Sequence, residues 1–255
     1  MLTCSALSVQ IPGRTLVRDL TFNLATGEVL CVLGPNGVGK SLTLQTLAGL
    51  RPPAAGSIAL DGIDLQQLSR RMIAARLGLL LQDDTETFPA TVFATTLMGR
   101  HPHLASFAAE SPVDHALARA ALTAMGLEGL EDRLVPSLSG GERRRLALAR
   151  LLAQDPGVLL LDEPVNHLDP RHQITVLTYL GVLAGAGHGV LMTLHDPTLA
   201  ARFADQALLL FPDSSWILGR TAAVLTAANL ERLFDAPYEE FVNSAGDVAL
   251  LPTGA

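Results

Sequence analysis

Val29-Leu30-Cys31-Val32-Leu33-Gly34-Pro35-Asn36-Gly37-Val38-Gly39-Lys40-Ser41 sets a glycine-rich loop directly behind an apolar run. The loop matches the pattern G-x-x-x-x-G-K-[ST] in full, and the run before it reads as a buried strand. After it, Leu44, Leu47 and Ala48 fall on one face of a helix expected from Lys40 to about Leu50. Strand, glycine loop and helix together make a phosphate cradle. Glycines let the backbone curl until successive N–H groups point inward, and the helix adds its positive end. Gly34, Pro35, Asn36, Gly37, Val38, Gly39, Lys40 and Ser41 are therefore candidate nucleotide contacts, and the N–H of Leu42 can serve a phosphate too. Lys40 supplies a point charge for the outer phosphates. Ser41 offers a hydroxyl to Mg²⁺, a cation that takes oxygen ligands.

Working outward, Val158-Leu159-Leu160-Leu161 is a second apolar run without alternation, as central parallel strands require, and it ends in Asp162-Glu163. Open α/β sheets bind ligands at the carboxyl ends of their strands. Asp162 is placed there to hold Mg²⁺, and Glu163 to act on an attacking water as general base. Two more polar side chains end apolar strands: Gln82 after Leu77–Leu81, and His195 after Val190–Leu194. Gln82 could reach Mg²⁺ or the water, and a neutral His195 could donate to a terminal phosphate. Taken alone, each is more often a plain strand end. Leu138-Ser139-Gly140-Gly141-Glu142 opens another helix with Ser139 as N-cap, a second potential anion site. The three arginines that follow, Arg143 to Arg145, read as a solvated first turn.

The rest of the chain fits this α/β reading. Short strands (Leu2 to Val9, Leu20 to Leu24) precede the loop, with turn residues Pro12-Gly13 and Thr26-Gly27 between them. Ala- and Leu-rich sequence from about Thr91 to Met125, interrupted near His101-Pro102, reads as helical and inserted between core strands. After about Gly219 comes an extension with a helix expected near Leu225 to Phe234. The division expected is 1–220 for the nucleotide-binding domain, with a helical subdomain at about 88–153, and 221–255 for the extension.

Composition excludes several classes. With 255 residues, 49% hydrophobic and 17% charged, the chain can bury a sizeable core and is not a disordered protein. A net charge of −7 disfavours nonspecific nucleic-acid binding. Cys4 and Cys31 sit in apolar strands without ligand spacing and read as reduced, buried thiols. From Ile174 to Leu194 there is no Asp, Glu, Lys or Arg, which is the length of a membrane span, but Gly185, Gly187 and Gly189 break it into a helix and a strand. The N-terminus lacks the pattern of a signal peptide.

In their order, these motifs resemble the nucleotide-binding subunits of ABC transporters over roughly residues 2 to 220. Gly34–Ser41 matches the phosphate loop and Gln82 the glutamine loop. Leu138–Glu142 matches the signature, Val158–Glu163 the magnesium and base strand, Asn166-His167-Leu168-Asp169 the dimer-crossing loop, and His195 the switch histidine. The resemblance implies a P-loop core of ABC ATPase type with an N-terminal antiparallel β-subdomain and an inserted helical subdomain. It implies ATP and Mg²⁺ as ligands. It also implies a head-to-tail dimer in which Ser139, Gly140, Gly141 and Glu142 of one copy complete the site of the other. Transmembrane permease subunits would hold the dimer at the cytoplasmic face of the inner membrane and, through them, a substrate-binding protein would be engaged. Leu97-Met98-Gly99-Arg100-His101-Pro102-His103-Leu104 is similar to the importers of iron chelates, haem and cobalamin. Another importer, an exporter or a soluble ABC ATPase remain as alternatives. Two positions depart from the family pattern: Ile11 stands where many members stack an aromatic on adenine, and Leu42 replaces the usual Thr.

Overall fold

A computed structural model describes residues 1–82, 89–105, 109–242, 244, 246 and 248–254. The expected start of the helical segment at residue 88 lies outside them.

Pro12-Gly13 closes a hairpin between β1 (Leu2–Ile11) and β2 (Arg14–Leu24), with Ile11 opposite Arg14. With β4 (Ala55–Leu60) and β5 (Ile63–Asp64) they form an antiparallel sheet in the order β2-β1-β4-β5. β2 starts six residues earlier than the sequence indicated, because pairing with β1 carries polar positions that have no periodic signal of their own.

β3 (Val29–Leu33) runs into the glycine loop and then α1 (Lys40–Leu47), one turn shorter than expected. α2 (Arg70–Ala74) leads to β6 (Leu77–Leu80). Then come α3 (Val92–Leu97), a 3₁₀ segment Met98–His103, α4 (Pro112–Ala124) and α5 (Gly140–Gln154). Strand and helix alternate through β7 (Val158–Leu161), α6 (Pro170–Gly185), β8 (Gly189–Thr193), α7 (Pro197–Phe203) and β9 (Gln206–Leu210). β10 (Trp216–Arg220), α8 (Thr221–Val224), α9 (Ala227–Phe234) and the hairpin β11 (Tyr238–Val242)–β12 (Val248–Pro252) close the chain.

The main sheet has the order β10-β9-β3-β8-β7-β6, parallel from β9 to β6, so the loop strand is central and flanked by β8 and β9. Alternate residues of its strands face opposite layers. Leu30, Val32, Leu160 and Leu191 pack with α1 and the antiparallel sheet. Cys31, Leu33, Leu159, Leu161 and Met192 pack with α5, α6 and the C-terminal helices. Both layers exclude water, which is why these strands carry no polar face. Burial pushes the Cys4 thiol up to about 12 and the Cys31 thiol higher still, so both are unreactive. Leu230 and Leu233 of α9 and Leu250 of β12 lie in the helix-side core. The sequence reading anticipated α9 but not α8 or the terminal hairpin. The longest apolar stretch is divided into α6 and β8, and among the described residues no helix is long and apolar enough to cross a membrane.

Gly99 has a packing role. The 3₁₀ segment lies so close to α5 that a Cβ at Gly99 would overlap the Arg150 carbonyl oxygen and stand 3.1 Å from the Gln154 amide. Arg100 and His103 on the same segment bond the α5 carboxyl end: Arg100 Nη1 donates to Ala153 O (2.9 Å), and His103 Nε2 to Gln154 O (2.7 Å). The buried Arg100 guanidinium also pairs with Asp114 at 2.8 Å. Gly99→Ala is expected to destabilise the protein by about 1–3 kcal/mol, the cost of overpacking a rigid contact. The urea midpoint reads this directly, and an unchanged midpoint would contradict the packing account.

Candidate active site

Gly39 has φ +114° and Gly37 φ +76°, backbone that L side chains rarely adopt, and this lets the loop turn its N–H groups inward. Val38 is buried in the sheet core, so among the loop residues its side chain anchors and its backbone faces the cradle. Lys40 is 6% exposed, and its Nζ donates to Gly34 O at 2.7 Å and Pro35 O at 3.3 Å. The side chain thus braces the loop from inside. Burial lowers the Lys40 ammonium below its ordinary value, and the Glu163 and Asp162 carboxylates oppose that shift.

A cavity of about 440 Å³ opens over this loop, and its walls include Lys40, Ser41, Gln82, Glu163, Asn166 and His195. Four elements separated in sequence therefore meet: the loop and the segments that follow β6, β7 and β8. Glu163 is the centre. Its backbone is left-handed (φ +50°), a conformation that non-glycine residues hold at a cost of roughly 1–3 kcal/mol and that concentrates at functional sites. Gln82 Nε2 donates to Glu163 Oε2 at 3.0 Å, and Asn166 Nδ2 donates to the same oxygen. His195 Nε2 is 2.5 Å from Oε1. A carboxylate only accepts, so Nε2 carries the hydrogen. Beneath, the Glu163 N–H donates to Thr193 Oγ1 (2.8 Å), and that hydroxyl donates to Asp162 Oδ1 (2.7 Å). Asp162 and Thr193 are buried. The whole arrangement fixes Glu163 from both its backbone and its side chain.

Sequence reasoning placed Gln82 and His195 each at a strand end, Gln82 facing Mg²⁺ or the attacking water and His195 a terminal phosphate. The structure places both against the Glu163 carboxylate. It missed Thr193, whose signal was one polar residue inside the apolar strand Val190–Leu194. Sequence reasoning took Arg143 to Arg145 as one solvated turn; Arg143 is exposed as expected, whereas Arg145 is half-buried and Arg144 leaves solvent altogether. Arg143 reaches Leu138 O, Arg145 reaches Met125 O and Gly126 O, and Arg144 is buried.

Ser139, Gly140, Gly141 and Glu142 are not part of this cavity. They form the amino end of α5, closed by a capping box: Ser139 Oγ accepts from Glu142 N, and Glu142 Oε2 accepts from Ser139 N at 2.7 Å. These bonds hold the Glu142 carboxyl below its usual range. Ser139 and Gly140 are exposed, and nothing lies within 4 Å of a Cβ at Gly140. Ile11 ends β1 at 36% exposure, outside the cavity.

The oxygen donors fit Mg²⁺. With its amide nitrogen turned to Glu163, Gln82 keeps Oε1 as an acceptor, and Ser41 adds a hydroxyl on the cavity wall; the Asp162 carboxylate lies behind that wall, buried, with Oδ1 accepting from Thr193. Mg²⁺ favours such oxygen sets shared with substrate phosphates. Among the described residues, no cluster of three His, Cys, Asp or Glu side chains offers an all-protein metal site.

Comparison with known proteins agrees with this geometry. The sequence profile of the ABC transporter family matches residues 17–166. The hemin import ATP-binding protein HmuV of Gloeobacter violaceus is 40% identical, the match covering 92% of this chain and 87% of that protein. The ferric enterobactin transport ATP-binding protein FepC of Escherichia coli is 36% identical, over 86% of this chain and 82% of that one. A solved structure of a metal-chelate type ABC transporter in an inward-facing conformation superposes with a TM-score of 0.86 at 31% identity, covering 99% of this chain and 97% of its counterpart. The fold, the phosphate cradle and the matched profile lead to one conclusion: the chain belongs to the ABC transporter family and is one of its ATP-binding, ATP-hydrolysing subunits.

Proposed function

We propose that this chain drives uptake of an iron chelate, haem or cobalamin by hydrolysing ATP at the interface of a head-to-tail homodimer bound to permease subunits. The observation that carries the chemistry is Glu163, held by Gln82, Asn166 and His195 within the cavity of the phosphate loop. The likeness to HmuV and FepC supports the cargo class.

The residues take these roles. Backbone N–H groups of Gly37 to Leu42, with Lys40 Nζ, bind the β- and γ-phosphates. Ser41, Gln82 and Asp162 would hold Mg²⁺, which would offset charge on the phosphate oxygens when bound. Glu163 accepts a proton from the attacking water as its oxygen bonds the γ-phosphorus, and the bridging oxygen leaves with ADP. His195 and Asn166 orient the Glu163 carboxylate, and His195 Nε2–H can turn to a γ-phosphate oxygen. Catalysis of this kind is positioning and electrostatics. Ser139, Gly140 and Gly141 serve a second copy's γ-phosphate: they open a helix whose first residues, Ser139 and Gly140, are exposed, with open space around Gly140. Residues 1–220 are proposed to form the ATPase domain, with about 88–153 as its helical part, and 221–255 an extension laid on the helix-side core.

The permease is proposed to dock beside a cavity of about 540 Å³ whose walls include Leu50, Arg51, Pro52, Arg70 and Ile73. Leu50, Met72 and Met98 are 55%, 43% and 47% exposed, and Arg71 joins α2 to the 3₁₀ segment by bonds to Pro102 O and Leu104 O. This apolar surface bridges the core and the helical part, as a coupling contact requires. Co-expression with a candidate importer permease tests the reading. Complexes reconstituted in vesicles should accumulate haem, a ferric chelate or cobalamin only with ATP. Met98→Glu should abolish co-purification while leaving hydrolysis by the isolated subunit unchanged. Isolation of the chain on ribosomes, with no permease captured, would overturn the transport assignment.

A further inference from the structure

Arg144 is buried at 8% exposure under the site, and its guanidinium is bonded to the backbone of two separate loops. Nη1 donates to Leu81 O (2.8 Å) and Gln82 O (3.2 Å). Nη2 donates to Asp162 O (2.5 Å) and Glu163 O (2.6 Å), and Nε to Pro164 O at 3.4 Å. Five carbonyls converge on one planar fork, a geometry that Arg supplies and a Lys point charge does not.

We propose that Arg144 is a positioning residue for hydrolysis, clamping the backbone of Gln82 and Glu163 so that their side chains meet. The proposal rests on Glu163 as the base. Two features support it. Glu163 holds a left-handed backbone that must be over-determined by its surroundings, and Arg144 grips its carbonyl and both neighbouring ones. Gln82 is exposed and lies two residues past the end of β6, so the grip on Leu81 and Gln82 fixes what the strand no longer does. Arg144 also lies five residues along the chain from Ser139, one turn into the helix whose amino end is proposed to meet the other copy's phosphate. Movement of α5 is thereby carried to the base and to the glutamine through one side chain. Neither Arg143 nor Arg145 can do this, since their carbonyl partners lie in the segments around Leu138 and Gly126.

The test is a double-mutant cycle on single-turnover ATP hydrolysis by the purified subunit, using Arg144→Lys, Arg144→Gln, Glu163→Gln and the two combinations. Displacing a base by about 1 Å costs roughly 100-fold in rate. Arg144→Gln should therefore lower the rate about 10- to 100-fold with ATP affinity within threefold of the parent, and Arg144→Lys should recover only part of it. In the Glu163→Gln background either change should lower the rate less than twofold further, because the group being positioned is gone. Equal losses in both backgrounds would make Arg144 a general structural residue and overturn the proposal, as would full activity in Arg144→Lys and Arg144→Gln. If Arg144→Gln does not fold, the Lys pair decides alone. Normal turnover by Glu163→Gln would overturn the assignment of the base itself, and the role of Arg144 with it.

Discussion

Glu163→Gln is expected to lower ATP turnover by roughly 10²- to 10⁴-fold, the usual worth of a positioned general base, while ATP binding stays near the parent value. The side chain changes by one atom, and the amide keeps an acceptor for Gln82 or Asn166. What is lost is basicity toward the attacking water. The amide also places a donor where both oxygens now only accept, beside three donors: Gln82 Nε2, Asn166 Nδ2 and His195 Nε2. The loop contacts of Lys40 are untouched, which is why affinity should survive. Single-turnover hydrolysis and equilibrium binding of a fluorescent ATP analogue separate the two effects. Equal losses of rate and affinity would instead place Glu163 among the binding groups.

The opposite pattern is expected of Lys40→Met. Affinity for ATP should fall roughly 10- to 100-fold, because a hydrogen bond to a charged group is worth about 1.5–3 kcal/mol. Lys40 is already seated under the loop by Gly34 O and Pro35 O, so little ordering is needed when phosphate arrives. Stability should change little, since relief from burying an ammonium offsets the loss of two carbonyl bonds. The lowered Lys40 value adds a pH signature. Between the folded value and the ordinary Lys value, the unfolded chain binds more protons than the folded one. The parent's stability therefore gains with rising pH in that alkaline window. Lys40→Met should lack this gain in urea unfolding at successive pH values.

How much of this was legible in the sequence follows from how local each signal is. Gly34 to Ser41 and Asp162-Glu163 carry their chemistry within a few residues of chain, and each sits at the end of an apolar run, so both site and sheet could be read. The placement of β3 between β8 and β9 could not, since strand order depends on pairings distant in sequence. Arg144 shows the limit most clearly. Its partners lie 18 to 63 residues away, and beside Arg143 and Arg145 its charge reads as solvated surface. Gly99 gives no local sign of the contact that demands it, the far end of α5. The terminal hairpin escaped because β11 is mostly exposed and its strands lack clean alternation. Gln82 and His195 were found as residues but not as partners: each strand end predicts a polar side chain, and only the folded sheet turns both onto Glu163.

The central claim is that the cavity over the loop is half of an ATP site, completed by the Ser139 end of a second copy. Sedimentation velocity of Glu163→Gln with saturating ATP tests it most directly. The account predicts a dimer carrying two ATP molecules, absent with ADP and absent when Ser139 is replaced by Arg. A chain that stays monomeric at saturating ATP, or one whose ATP-dependent dimer persists in Ser139→Arg, would contradict it.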